Sequence, residues 1–203
     1  LNWHQQHLPA IVEAWQLGTQ SGNAIAQVLY GDYNPSGKLP MSFPRAVGQA
    51  PIYYNYKNTG RPTGAPGVFW SHYEDEKNSP LYPFGYGLSY TSFEYSNLQV
   101  EVVSGNKVNI SVTLKNSGQK TGKEVVQLYI RDHFASVTRP VRELKGFELV
   151  TLEPSESKEI SFTLTEEELG FYDNDGQFIF EKGDFTIFVG GDSNANLQAQ
   201  ITL

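Results

Sequence analysis

The segment from Pro80 to Tyr90 constrains the fold of this chain more than any other, because it combines two prolines, two glycines and four aromatic residues without a single charge. Pro80 and Pro83 exclude a helix and hold the backbone extended, whereas Gly85 and Gly87 allow turns that a Cβ atom would block. Surface loops are usually polar, so an apolar loop of this kind is expected to be pressed between two packed bodies. We interpret it as a proline-stiffened spacer between domains, with the alternative that its tyrosines line a ligand cleft.

After residue 92, apolar residues recur at every second position, which is the period of a half-buried β-strand. The alternation is clear in the segments 108–114, 126–130, 160–164 and 197–203, and turn sequences rich in Gly, Asn and Asp separate the runs. About seven short strands over roughly 110 residues are typical of an immunoglobulin-like or fibronectin type III sandwich. Such a sandwich is therefore predicted for residues 92–203.

One short helix is predicted within this β region. Thr165 is followed three residues later by Glu168, which is the spacing of a capping box. The helix should end before Gly170.

Residues 1–50 have an α/β pattern. The apolar run 10–15 is suited to a buried strand, and Thr19 or Ser21 is available to cap the helix that follows. Apolar residues at helical spacing then lead to a glycine that should end the helix in a left-handed conformation: Ile25, Val28, Leu29 and Gly31. One strand and one helix cannot bury their apolar faces alone, so we expect this segment to be a piece of a longer protein that supplies the sheet.

Residues 51–91 show neither period. Prolines and glycines alternate there with tyrosines and other aromatic residues. The segment is too aromatic for a disordered tail, and about 40 residues of loop are unusual in a compact domain. We therefore expect a linker that wraps over a neighbouring surface.

Two motifs in this chain resemble signatures of glycoside hydrolase family 3, which includes bacterial β-glucosidases and β-xylosidases. Residues 81–93 are similar to the signature Leu-Tyr-Pro-Phe-Gly-Tyr-Gly-Leu-Ser-Tyr-Thr-x-Phe. Residues 31–44, Gly-Asp-Tyr-Asn-Pro-Ser-Gly-Lys-Leu-Pro-Met-Ser-Phe-Pro, are similar to a second signature of the family. The motifs occur in the family's order, and the resemblance extends over the whole chain.

The resemblance implies a domain arrangement and an activity. Residues 1–50 would be the C-terminal end of an α/β sandwich domain, 51–91 a linker, and 92–203 a fibronectin type III-like domain, with a barrel domain and the rest of the α/β domain preceding them. The parent enzyme would hydrolyse terminal β-D-glucosyl residues with retention of configuration, in the periplasm or outside the cell. Glucose, xylose and glucosamine specificity stay open, as does the oligomeric state, for which a homodimer is one arrangement.

No catalytic residue is assigned to this chain. The family's nucleophile is an aspartate in a Ser/Thr-Asp-Trp sequence of the barrel domain, and no Asp-Trp pair occurs here. The family's acid/base glutamate generally lies upstream of the portion that residues 1–44 match. The family's Ser-Arg-Tyr in the linker reads Ser71-His72-Tyr73 here, so no role of that arginine is carried over.

Four linker residues are candidates for substrate contact: Trp70, His72, Tyr73 and Asp75. Sugars stack on aromatic faces, a carboxylate can orient their hydroxyls, and loops commonly carry function. Retaining hydrolysis needs two carboxyl groups about 5 Å apart, but the adjacent carboxylates of residues 74–76 are expected to point away from one another. The acidic clusters at 166–168 and 173–175 are expected to be a solvated helix start and a turn.

Composition excludes several other classes. A net charge of −7 argues against nucleic-acid binding, which requires a basic face. The sequence has no apolar run of about 18 residues that would predict a membrane span. It contains no cysteine, and the four histidines have no metal-ligand spacing, so no metal site or cofactor is predicted.

Two functions from different classes therefore remain. In the first, the chain is a structural or accessory part of a β-glucosidase and has no activity alone. In the second, its β domain is a free-standing carbohydrate-binding or protein-interaction module, which would need an exposed aromatic row on one sheet face. The candidates for that row are Tyr95, Tyr129 and Phe147, and their scattered positions favour packed rings.

Overall fold

The computed structural model describes residues 1–61 and 70–203. Positions 62–69 of the predicted linker therefore lie outside the described residues. They include two of the linker's prolines, two of its glycines and Phe69. The linker is irregular where it is described. The proposed boundaries at 50/51 and 91/92 stay a prediction.

Three helices occur in the described part of the chain: α1 (Asn2–His7), α2 (Ser21–Tyr30) and α3 (Glu166–Leu169), with a short 3-10 helix at Val47–Gln49. The predicted helix is confirmed as α2, and Gly31 ends it with φ of 80°. The predicted cap is wrong, because Gln20 occupies the N-cap position and neither Thr19 nor Ser21 caps the helix with its side chain. None of the described helices is long and apolar enough to cross a membrane.

The predicted strand at residues 10–15 is wrong. The segment is irregular and exposed, with Ile11, Val12 and Trp15 each 44–55% exposed. A buried strand needs neighbouring strands that pair with its backbone and cover its side chains, and the described chain offers none here. Helix α2 likewise buries none of its residues, and Leu29 is 65% exposed.

The strands of the described chain are β1 (Phe93–Val103), β2 (Lys107–Asn116), β3 (Gly122–Asp132), β4 (Glu143–Leu152), β5 (Ser157–Leu164), β6 (Phe171–Tyr172), β7 (Phe178–Ile179), β8 (Asp184–Gly190) and β9 (Leu197–Thr202). One sheet has the order β1-β2-β5 and the other the order β4-β3-β8-β9, with antiparallel pairing throughout. These seven strands form the predicted sandwich. The short ribbon β6-β7 was not predicted, since two-residue strands carry no periodic signal.

The core lies between the two sheets and is built from the alternating residues. One sheet contributes Val108, Ile110, Val112, Leu114, Ile160 and Leu164, and the other Val126, Leu128 and Ile130, all at most 1% exposed. Full burial of such a side chain stabilises the fold by about 1.5–3 kcal/mol before entropy is subtracted. Register is thereby fixed, because a shift of one residue would turn every apolar side chain out of the core.

The predicted capping box is confirmed at α3. The Thr165 hydroxyl accepts a hydrogen bond from the Glu167 amide, and Glu168 accepts one from the Thr165 amide at 2.7 Å. Gly170 follows the helix as its C-cap. Two of the unpaired amides at the start of this short helix are thus satisfied.

Candidate functional site: a groove between the linker and the sandwich

The two sequence motifs lie against one another. The Leu39 amide donates to the Tyr86 carbonyl and the Gly85 amide to the Leu39 carbonyl, both at 2.8 Å. Phe43 pairs with Tyr82 in an isolated antiparallel bridge. The run 80–90 therefore lies against the 31–44 segment, and its interpretation as a spacer between two packed bodies stays a prediction.

Asn34 ties the same motifs to the sandwich. Its amide nitrogen donates to the Thr121 carbonyl at 2.9 Å, and its side-chain oxygen accepts from the Ser89 hydroxyl at 2.8 Å and the Tyr90 amide at 2.7 Å. One side chain thus holds three segments together.

An aromatic cluster fixes both ends of the linker to the outer face of the four-stranded sheet. The Tyr54 ring stacks on Phe84 at 4.3 Å and meets Tyr129 edge-on at 5.8 Å between ring centroids. Tyr129 is fully buried. Burial raises the pKa of Tyr54 and of Tyr129 above the usual tyrosine value, so both hydroxyls stay protonated at neutral pH.

Gln127 of β3 supplies the polar contacts beneath this cluster. Its amide nitrogen donates to the Gly85 carbonyl at 3.2 Å and to the Gly191 carbonyl, and its oxygen accepts from the Tyr129 hydroxyl. Gly85 has φ of +79°, and a Cβ atom there would lie 2.2 Å from the Gln127 side-chain oxygen. The glycine is needed both for its backbone conformation and for this close approach.

A second polar joint is the ion pair between Lys38 and Glu124. The Lys38 ammonium lies 3.1 Å from each Glu124 oxygen and donates to the Gly87 carbonyl, also at 3.1 Å. The Tyr95 hydroxyl donates to the same carboxylate at 2.9 Å. Burial raises the pKa of Glu124, and Lys38 offsets only part of that effect.

An open groove of about 900 Å³ lies where the linker crosses the sandwich. Its wall on the linker side includes Tyr53, Tyr56, His72 and Tyr73, and its wall on the sandwich side includes Arg131, Arg142, Phe188 and Asn194. The Val141 amide donates to the Tyr56 carbonyl at 2.9 Å, so the two walls are joined by backbone. The volume suits a ligand of one to a few sugar rings, since ligand pockets measure roughly 300–1,000 Å³.

The structure brings only part of the predicted site together. Trp70 stacks on His72 with ring centroids 4.2 Å apart, and the His72 Nδ1 lies 2.8 Å from the Trp70 carbonyl. His72 and Tyr73 line the groove, and Tyr73 is 44% exposed. Asp75 is exposed and outside the groove lining.

The neighbouring carboxylates do not form a pair suited to glycoside hydrolysis. Glu74 and Asp75 are exposed, and Glu76 faces Arg45 at 3.9 Å. Exposed acids at successive loop positions lack the facing geometry that a nucleophile and an acid/base need.

Two other acids, Asp132 and Glu143, share one arginine. Arg139 contacts Asp132 at 3.5 Å and Glu143 at 2.7 Å, and its guanidinium lies 4.5 Å from the Phe171 ring centroid. Burial raises the pKa of Asp132, with Arg139 opposing the effect. Neither acid lines the groove described above, and both are paired with Arg139.

No group of three or more metal-ligating side chains is found within residues 1–61 and 70–203. The aromatic row required by the module interpretation is also not formed by its candidates. Tyr129 is buried in the linker interface and Tyr95 is bound to Glu124, as their scattered positions suggested. Phe147 differs, being 69% exposed on β4.

Comparison with known proteins gives the same assignment as the motifs. Residues 1–90 match the glycosyl hydrolase family 3 C-terminal domain, and residues 124–193 match the fibronectin type III-like domain. The chain therefore belongs to glycosyl hydrolase family 3 and corresponds to the C-terminal portion of its members. The predicted fold class, an α/β fragment followed by a fibronectin-like sandwich, is confirmed.

Individual relatives are similar over nearly the whole chain. A periplasmic β-glucosidase of Salmonella typhimurium is 50% identical over 193 residues, which are 93% of this chain and 25% of the relative. A β-xylosidase of Formosa agariphila is 41% identical, covering 97% of this chain and 27% of the relative. The crystal structure of a Listeria innocua β-glucosidase in complex with glucose superposes with a TM-score of 0.87 at 44% identity, covering 94% of this chain and 27% of that one. The chain thus spans about a quarter of the length of these relatives.

Proposed function

We propose that this chain is the C-terminal part of a retaining β-glucosidase that hydrolyses terminal β-D-glucosyl residues, and that its role there is structural and accessory. The observation that carries the proposal is the joint between the two family motifs and the sandwich, made by Asn34, Lys38–Glu124 and Gln127. Such a joint fixes the edge of an α/β domain relative to the linker. The periplasmic relative supports a location in the periplasm or outside the cell.

The catalytic carboxylates belong outside this chain in this proposal. Retention requires one carboxylate that attacks the anomeric carbon and one acid that protonates the leaving oxygen, about 5 Å apart. The buried acids described here are instead bound to cations: Glu124 to Lys38, and Asp132 to Arg139. A catalytic acid held in this way is not available to a sugar.

The linker segment with Trp70, His72, Tyr73 and Asp75 is proposed to contact the substrate or its leaving group. The Trp70–His72 stack and the exposed Tyr73 ring offer faces for a pyranose, and His72 and Tyr73 reach the groove. Asp75 is included because it lies in the same segment as these three residues.

The test is hydrolysis of aryl β-glucosides and aryl β-xylosides by the full natural polypeptide that contains these residues, beside the 203-residue chain alone. We expect the full polypeptide to prefer the glucoside and the chain alone to be inactive. Hydrolysis by the chain alone at the rate of the full polypeptide would overturn the accessory role, and preference for the xyloside would overturn the assigned sugar.

Variants of the full polypeptide test the linker. Trp70→Ala and Tyr73→Ala should raise KM several-fold, because each removes a stacking face worth about 1 kcal/mol. Tyr172→Ala is the matched control, since Tyr172 is 70% exposed on β6 and outside the groove. Unchanged KM in both linker variants would remove these residues from the substrate site.

A further inference from the structure

The charged side chains that line the groove between linker and sandwich are positive, whereas the chain as a whole is negatively charged. The chain carries 22 acidic and 15 basic side chains, yet the described residues that line the groove include no Asp or Glu. They include four cations: Lys57, Arg61, Arg131 and Arg142. In an acidic protein, a concave surface of this composition holds a local positive potential.

Asp192 favours the charged form of the groove cation Arg142 without forming an ion pair with it. The ion pairs formed by residues 1–61 and 70–203 use other basic residues, and none includes a cation of the groove. Arg142 is held by backbone carbonyls, donating to Ser193 and to Ala195, with its guanidinium 3.9 Å from the Phe188 ring centroid. Arg131 projects from the outer face of β3 at the floor of the groove, beside Thr186 of β8.

Aromatic and amide groups accompany the cations. Tyr53, Tyr56 and Tyr73 line the groove and are 44–63% exposed, so their ring faces are accessible. Asn58, Asn194 and Asn196 add amide groups that can both donate to and accept from hydroxyls. Exposed rings with amides are suited to a saccharide, and the added cations are suited to a saccharide that carries an anionic substituent.

We propose that this groove binds an acidic saccharide, with Lys57 and Arg131 contacting its carboxylate or sulfate group and the tyrosines stacking on its rings. The concave shape and the volume of about 900 Å³ suit a small saccharide. The inference deepens the proposed function in that it takes a saccharide as the ligand. It requires no hydrolysis, so binding can be measured separately from activity.

The experiment is calorimetric titration of the full natural polypeptide, with its active site saturated by a glucosidase inhibitor, using three disaccharides: cellobiose, cellobiouronic acid and cellobiose 6-sulfate. Cellobiouronic acid differs from cellobiose by one carboxylate in place of one hydroxymethyl group. We expect it to bind about tenfold more tightly at low salt, because a charge-assisted hydrogen bond is stronger than a neutral one. The advantage should shrink several-fold at about 0.5 M salt. The sulfate ester distinguishes a carboxylate-specific contact from a general anion contact.

Variants locate the site. Arg131→Gln and Lys57→Gln should each remove most of the advantage of the acidic sugar and leave cellobiose affinity unchanged. Lys107→Gln makes the same charge change at an exposed position outside the groove and should have no effect. Lys57 lies on the exposed linker, so Lys57→Gln keeps the test valid if Arg131→Gln fails to fold.

The outcomes are distinct. Equal affinity for acidic and neutral disaccharides would overturn the proposed anion contact and leave the groove as a neutral sugar site. No binding of any disaccharide, in a polypeptide that still hydrolyses aryl β-glucosides, would overturn the groove as a saccharide site and leave the proposed function intact. An acidic-sugar advantage that persists in both groove variants would place the anion contact elsewhere.

Discussion

Lys38 and Glu124 form an ion pair that joins the 31–44 motif to strand β3, with the ammonium 3.1 Å from both carboxylate oxygens and side chains only 13% and 8% exposed. A surface ion pair contributes little, but removing one partner of a buried pair leaves an uncompensated charge. Gly87 and Tyr95 complete the contacts of this pair. Removing either Lys38 or Glu124 alone is therefore expected to weaken the joint between the 31–44 motif and strand β3.

Lys38→Met should lower the free energy of unfolding by about 3 kcal/mol at pH 7, because it leaves Glu124 buried without a cation. Lys38→Met combined with Glu124→Leu should recover most of the loss. Burial already raises the pKa of Glu124, and losing Lys38 removes an influence that lowers it. The deficit of Lys38→Met should thus shrink below about pH 4, where Glu124 is protonated in folded and unfolded chains alike. Urea denaturation at both pH values measures this, and a single variant as stable as the wild type would contradict it.

Gly85→Ala should destabilise the protein more than Gly176→Ala, although both glycines have positive φ, +79° and +74° respectively. No atom lies within 4 Å of the position that a Cβ on residue 176 would occupy, so substitution of Gly176 costs only the backbone strain of about 1 kcal/mol. At Gly85 the Cβ would meet the Gln127 oxygen at 2.2 Å, and Gln127 is fixed by its own hydrogen bonds and is 3% exposed. We expect a loss of roughly 3 kcal/mol or more there.

Urea denaturation of the two glycine variants provides the comparison. Equal losses would show that Gln127 moves aside freely and that the close approach is not needed. A larger loss at Gly85 would show that the 80–90 segment depends on contact with β3.

The sandwich could be predicted from the sequence because its signal is local. Alternation such as that of residues 108–114 is visible without knowledge of any partner strand, and the buried core reproduces it. The strand expected at 10–15 failed for the opposite reason, since a short apolar run becomes a strand only beside other strands. The ribbon β6-β7 was too short to leave a pattern.

The candidate site was less predictable. Trp70, His72 and Tyr73 are neighbours in sequence, and their composition was sufficient to single them out. The groove cations are spread from residue 57 to residue 142, and only tertiary structure brings them together. The sequence does contain one signal for the joint: Glu124 and Gln127 are polar residues in a strand of buried apolar ones, which indicates specific partners.

Glu168→Gln should lower stability at neutral pH, with a loss that fades in acid. Glu168 accepts hydrogen bonds at 2.7 Å from both the amide and the hydroxyl of Thr165. Burial alone would raise the pKa of Glu168, but these hydrogen bonds outweigh it and the pKa is lowered. A carboxylate with a lowered folded-state pKa stabilises the fold above its unfolded pKa of about 4.3, and the contribution is lost as the pH falls through the folded value. We expect Glu168→Gln to cost about 1 kcal/mol at pH 7 and clearly less near pH 3.

Thermal unfolding at both pH values measures the change. Glu167→Gln is the matched control, because that exposed side chain lies in the same turn and takes no part in the capping box. A loss of stability in Glu168→Gln that does not depend on pH would contradict the assignment of the effect to the capping box. An equal loss in Glu167→Gln would contradict it as well.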